Sequence, residues 1–188
     1  MPLACNHLIM KKYIFTLLLL LTVSLLSTNL LLPKVDSADI VFAQNMSDHH
    51  DQAIEMSFVV LANSENSNLR GLAYDIINTQ ATQRGMMMGW LQNWDEPLNS
   101  DLDHAQMEAM GMASGAEMER LYELEASELD SLFMELMIRH HMGGIDMAEI
   151  YVEEGEYDLL IDLAETMIAG QRGEIEYLDS LYETFTGN

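Results

Sequence analysis

Cysteine is almost missing from this 188-residue chain, Cys5 being the only one. Past residue 36 there is therefore no thiolate metal site and no cysteine nucleophile, and no disulfide can close within the chain. Any soft metal ligand in the body must be methionine. Lysine is scarce too. Lys11, Lys12 and Lys34 all precede residue 36, after which the only bases are Arg70, Arg84, Arg120, Arg139 and Arg172. Against 31 acids the whole chain carries −23. A nucleic-acid interface needs a basic footprint, so that class is excluded. A surface this acidic favours solubility, including in salt, and also concentrates cations; the two readings are compatible. Proline is limited to Pro2, Pro33 and Pro97, so long helices are allowed almost throughout the body. Period-2 alternation is absent over any useful length, which removes a strand-based fold.

The N-terminus carries a leader. Lys11 and Lys12 precede an apolar run from Tyr13 to Leu32, the n-region and h-region of a secretory signal. A run of about 20 residues also suits an uncleaved span. Residues 1–37 are thus expected to be a signal peptide or an N-terminal membrane anchor through residues 13–32. The acidic body, residues 38–188, is expected outside the cytoplasm, periplasmic or extracellular.

Methionine is abundant, with 16 in the chain, and it marks an internal repeat. Shifting the sequence by 91 positions brings "MSDHHDQAIEM" at 46–56 onto "MIRHHMGGIDM" at 137–147. The same shift matches Phe42 with Phe133, Leu69 with Leu160, Leu72 with Leu163, Ala73 with Ala164, Ile77 with Ile168 and Gln80 with Gln171. Such a repeat marks a duplicated supersecondary unit. Each unit reads as a helical hairpin. The first has helices near 39–62 and 68–93 around the turn-forming "NSENSN" at 63–68. The second has helices near 127–153 and 157–185, with Ser127 and Asp130 as an expected capping pair. The connector, 94–126, contains a Ser114–Glu117 capping box that starts a short helix near 115–124. The expected fold is all-α, a four-helix bundle made of two hairpins, with units at about 39–93 and 127–185.

At 100° per residue, Met46, His49, His50, Ala53 and Met56 fall on one helix face about 120° wide. Met137, His140, His141, Gly144 and Met147 repeat it. Two readings stand side by side. Methionine at helical spacing is ordinary core material, and four buried imidazoles could form a structural network with Gln80 and Gln171 that sets helix register. Alternatively the two rows converge on a metal ion, with the small Ala53 and Gly144 leaving room for it. In an up-down bundle, helices one and three would run parallel on a diagonal, bringing the two pairs face to face at similar depth. Thioether with imidazole and no thiolate suits Cu(I), with Ag(I) as its mimic, and imidazole with carboxylate also takes Cu(II). Zinc would prefer thiolate or three imidazoles with a carboxylate. No D-x-D-x-D-G loop offers calcium a site, and no paired E-x-x-H motif supports a di-iron centre. Asp101 and His104 share that spacing but stand alone. Met86, Met87, Met88, Met107, Met110, Met112 and Met142 form a second tier, either packing residues or a surface that takes up and passes on Cu(I).

The sequence resembles the domain of unknown function 305 family, exported ferritin-like helical proteins that include periplasmic copper binders involved in copper resistance. The family motif is F-x3-M-x2-H-H-x2-A-I-x-M, then L-A-x3-I-x2-Q-x2-E-I. "FMELMIRHHMGGIDMAE" and "LAETMIAGQRGEI" follow it with Gly144 in place of Ala; "FAQNMSDHHDQAIEMS" and "LAYDIINTQATQRG" follow it until Gln83 and Arg84 replace the final Glu-Ile. The resemblance covers about residues 40–182. It implies copper coordination by Met46, His49, His50 and Met56, and by Met137, His140, His141 and Met147. The leading expectation is an extracytoplasmic protein that sequesters or carries Cu(I) or Cu(II), paired with a copper-transfer protein. The alternative is a metal-free helical interaction module. A redox enzyme is disfavoured, because the chain lacks the di-iron carboxylate set and any nucleophile–base constellation.

Overall fold

The structure is a computed structural model that describes residues 35–186. The apolar run 13–32, and with it the expected signal or anchor, lies outside the described residues. Within them no helix is long and apolar enough to cross a membrane. Six helices and no strand are present among the described residues: α1 (Ser37–Asn63), α2 (Ser67–Trp94), α3 (His104–Ala109), α4 (Gly115–Glu123), α5 (Ala126–Glu154) and α6 (Asp158–Thr186).

Side-chain caps decide where most of these helices begin. Asp36 accepts from the Ala38 and Asp39 amides at 2.8 and 3.2 Å, and Asp39 answers to the Asp36 amide at 2.8 Å. Asn66 caps α2, and the expected Ser114–Glu117 box caps α4. A second box, Asp103–Gln106, starts α3, which the sequence reading did not foresee. The Ser127–Asp130 pair does not form. The α5 helix begins one residue earlier, on Glu125, which makes no side-chain cap. Asp130 is buried instead, so its carboxylate is turned inward and does not reach back to the helix start.

Phe42, near the start of α1, stacks on Tyr151, near the end of α5, with centroids 4.1 Å apart. The two helices are therefore adjacent and antiparallel, not parallel across a diagonal. The reason lies in the connector. Instead of crossing one end of the bundle, it climbs the length of α1. Gln44 donates to the Pro97 carbonyl at 2.8 Å, and Asp48 accepts from the Ser100 amide and hydroxyl at 2.9 and 2.6 Å. Gln52 donates to the Ala113 carbonyl at 2.9 Å and accepts from the Ala113 amide at 2.6 Å, and the Tyr122 hydroxyl donates to Glu55. These α1 residues recur every three or four positions, forming one ridge. Across the groove, Arg139 of α5 holds Glu117 with two bonds of 2.8 and 2.7 Å. The connector thus seals the α1–α5 face, and α2 and α6 meet on the opposite side.

Two apolar clusters fill the interior. One joins Phe42, Met46 and Leu91 to Tyr151 and Leu160; the other joins Met56, Leu69 and Leu121 to Phe133 and Met137. Each fully buried Leu or Phe contributes roughly 1.5–3 kcal/mol. Asp39 ties the first cluster to the α5–α6 turn. It accepts from the Tyr151 hydroxyl at 2.6 Å and from the Glu156 and Tyr157 amides at 3.1 Å each. Burial pushes its carboxyl up, but these donors outweigh that and hold it below its ordinary value. Between the two clusters lies a polar layer.

Candidate metal centre

That layer holds all four histidines of the two rows, each fully buried. His49 and His140 occupy equivalent positions of the repeat and stack on each other, centroids 3.6 Å apart. His50 and His141 flank them at 6.5 and 6.2 Å from their sequence neighbours. The antiparallel crossing makes the arrangement nearly two-fold, with equivalent side chains facing equivalent surroundings.

The expected glutamine partners are one turn out. His50 Nε2 bonds Gln83 Oε1 at 2.8 Å, and His141 Nε2 bonds Glu174 Oε2 at 2.6 Å. Gln83 and Glu174 are themselves separated by the repeat shift of 91. Both acceptors are oxygens, so in the neutral rings Nε2 carries the proton and Nδ1 keeps its lone pair. Gln80 and Gln171, buried nearby, have no hydrogen-bond partner on either amide atom. Arg84, at the position that departs from the family motif, pairs with Asp51 at 2.6 Å.

Burial holds the His49 and His140 imidazoles well below the ordinary histidine range, and the neighbouring imidazoles lower them further. The Met110 carbonyl works weakly against this at His49 without reaching hydrogen-bond geometry. His50 is lowered to about 4, by burial first; Gln83 pulls it up, while His141 and Arg84 push it down. Neutral rings with free lone pairs are what a metal ion needs.

Both nitrogens of His49 and His140, and Nδ1 of His50 and His141, are buried without a partner. An unpaired buried polar atom costs about 1–3 kcal/mol. Six such atoms together would cost roughly as much as the 5–15 kcal/mol stability of a whole domain. A layer built only to fix helix register would pair its members.

The thioethers flank this layer. Met46 and Met147, one from each repeat, belong to the first cluster, and Met56 and Met137 to the second. Met46, Met56 and Met137 are fully buried. Met147 is half-buried and lines an outer groove with Val41, Phe42 and Ile150. Met46 and Met137 each sit one turn from both histidines of their own helix. Among the described residues no three His, Cys, Asp or Glu side chains are poised around one point. The room expected beside Gly144 is taken: a Cβ there would lie 2.6 Å from Gln171 Oε1 and 3.0 Å from His49 Cε1. Among the second-tier residues, Met86 and Met142 are exposed and Met87 and Met112 are buried. Met88, Met107 and Met110 are half-buried, and Asp101 and His104 lie exposed in the connector.

The family model described as "Domain of unknown function (DUF305)" matches residues 39–182. The chain belongs to that family. In DUF305 terms the match runs from Asp39 through both histidine pairs and the connector into α6. A DUF305 protein from Streptomyces coelicolor, described as a candidate secreted protein, is 40% identical over 80% of this chain and 94% of its own, with a TM-score of 0.74. A DUF305 fragment from Deinococcus radiodurans is 30% identical over 81% of this chain and 99% of its own, with a TM-score of 0.76. CopM in its Cu(I)-bound form is 26% identical over 78% of this chain and 96% of its own, with a TM-score of 0.67. CopM has also been solved in Cu(II)-bound, Ag-bound and apo forms. Among curated proteins, none matches the chain.

Proposed function

We propose that this chain is an extracytoplasmic copper-binding protein that sequesters or carries the ion. Its ligands are drawn from Met46, His49, His50, Met56, Met137, His140, His141 and Met147. The observation that carries the reading is the buried layer of four imidazoles with six unpartnered nitrogens. Thioethers on both sides of it, with no thiolate in reach, favour Cu(I) and accommodate Cu(II). The copper-bound and silver-bound forms of CopM support the same choice of ion. Binding would have to turn the stacked His49 and His140 rings so that their lone pairs share an ion.

The role is that of a binder, not a catalyst. The layer offers donors to an ion, and the Glu174 carboxylate is turned to His141. The strongly acidic surface draws cations towards the protein. The apolar run 13–32 and the Streptomyces coelicolor relative support a place outside the cytoplasm. A carrier there would pass its ion to a copper-transfer protein.

The test is titration of the full-length chain with Cu(I) against a competing chelator. Tight binding is expected, weakened at least about a hundredfold in the His49→Ala/His50→Ala/His140→Ala/His141→Ala variant, with helical content monitored by circular dichroism. Unchanged affinity in a folded variant would move the site to the connector methionines. No uptake by the parent would favour the metal-free module with its His50–Gln83 and His141–Glu174 network.

A further inference from the structure

An ion bound in the histidine layer has to get there, and all but one of its sides are closed, beginning with the two hairpins, where α1 packs closely on α2 and α5 on α6. The two apolar clusters lie above and below. On the α1–α5 face the connector backbone is pressed onto α5: a Cβ on Gly143 would fall 1.8 Å from the Met110 carbonyl oxygen, and one on Gly111 would fall 2.5 Å from the Arg139 carbonyl oxygen. The double link between Gln52 and Ala113 locks that strap.

The remaining side is the seam between α2 and α6, the most sparsely packed pair of neighbouring long helices. It contains a cavity of about 20 Å³, partly open to solvent, enough for one water-sized occupant. Its walls include Gln80 and Gln83 from α2 and Gln171 and Glu174 from α6, with Thr79 and Gly170 exposed at the rim. Gln80 and Gln171 are only 2% and 4% exposed, yet neither amide has a hydrogen-bond partner. Gln83 and Glu174 each reach an outer imidazole from this cavity. Glu174 is 20% exposed, so one carboxylate touches both solvent and the buried layer. The seam therefore lines the way between the surface and both outer histidines with amide and carboxylate groups, which lower the cost of bringing a cation inward.

We infer that the α2–α6 seam is the passage through which the copper ion reaches and leaves the histidine layer, its lining formed by the side chains of Gln80, Gln83, Gln171 and Glu174. This rests on the copper-binding reading above. Passage needs the seam to widen beyond one water.

The experiment is stopped-flow uptake and chelator-driven release of Cu(I), and of Ag(I) as its mimic, in the full-length chain and a Gly170→Trp variant. A Cβ at Gly170 meets nothing within 4 Å, so the indole can cover the mouth without entering the core. Uptake and release are expected to slow together by at least about tenfold, with equilibrium affinity unchanged. Gly71→Trp, on an exposed and equally open stretch of α2 away from the cavity, is expected to keep the parent's rates. Should Gly170→Trp fail to fold, Thr79→Trp covers the opposite rim and reads the same quantity. Parent-like rates in the rim variant overturn the passage while leaving copper binding intact. A parent that takes up neither ion overturns the binding reading and the passage with it.

Discussion

Gln83 and Glu174 fill the same place in the two repeats, yet one is a neutral amide and the other a carboxylate. Each accepts a hydrogen bond from an imidazole Nε2, at 2.8 Å from His50 and 2.6 Å from His141. A carboxylate behind a ligating imidazole fixes the ring's tautomer and raises the basicity of the opposite nitrogen. His141 should therefore be the stronger donor of the pair and His50 the weaker. Glu174→Gln makes the halves alike by weakening the better one. Its affinity for Cu(I), read by chelator competition, should fall by about tenfold, within the range seen for outer-shell changes. Gln83→Glu should raise affinity, since it gives His50 the same support. Parent affinity in Glu174→Gln would mean that the carboxylate serves only packing.

At the scale of helices, much was legible. Turn residues and caps placed the four long helices within about two residues of their observed ends, within the ordinary uncertainty of such boundaries. The doubled His-His pattern pointed to one shared layer, and His49 and His140 do meet there. What periodicity does not carry is direction. It says which face of a helix is buried, not which neighbour covers it, so the parallel diagonal arrangement was as consistent with the pattern as the antiparallel contact found. Nor does a helical wheel show how far an imidazole reaches, so the pattern points to Gln80 where Gln83, one turn on, makes the bond. The information that would have decided the direction sits where the connector meets α5, at Gly111 of the one and Gly143 of the other. Gly111 has φ +80°, a conformation that favours glycine, and Gly143 lets the Met110 carbonyl rest on the α5 backbone. Both read as ordinary glycines in one dimension. Gly143→Ala tests the point. Its Cβ would meet backbone, which cannot rotate away, so the strap has to lift. The variant should lose about 2 kcal/mol in urea denaturation, in the usual range for overpacking. Gly71→Ala, with open space around it, should instead gain up to about 1 kcal/mol from helix propensity. Equal stability of Gly143→Ala and the parent would show that the connector does not seal the α1–α5 face tightly.

For the molecule as a whole, two electrostatic effects oppose each other as pH falls. With a net charge of −23 and an isoelectric point near 4.2, acidification relieves repulsion among surface carboxylates and should stabilise the fold. The buried histidines act the other way. The His50 ring sits at about 4 in the fold against 6.5 for a free ring, and His49 and His140 are lowered too. Because the folded values lie below the unfolded one, this contribution is fully present above pH 6.5 and lost as pH falls towards the folded values. For His50 alone the loss between pH 6.5 and 4 is about 3 kcal/mol, and His49 and His140 add to it. Surface repulsion beyond about 8 Å is screened at physiological salt, so the histidines should win. The metal-free protein is expected to show a urea midpoint that falls steadily from pH 6.5 to 4.5 in about 0.15 M salt, and the His50→Gln variant a flatter line over the same range. Copper-loaded protein should start higher, by about 2.7 kcal/mol at a hundredfold excess over the dissociation constant, and drop more steeply, because protons and the ion compete for the same nitrogens. A midpoint that rises on acidification with the same slope in the parent and in His50→Gln would mean that the rings are not held neutral by burial, which would remove the physical basis for treating their free nitrogens as a prepared site.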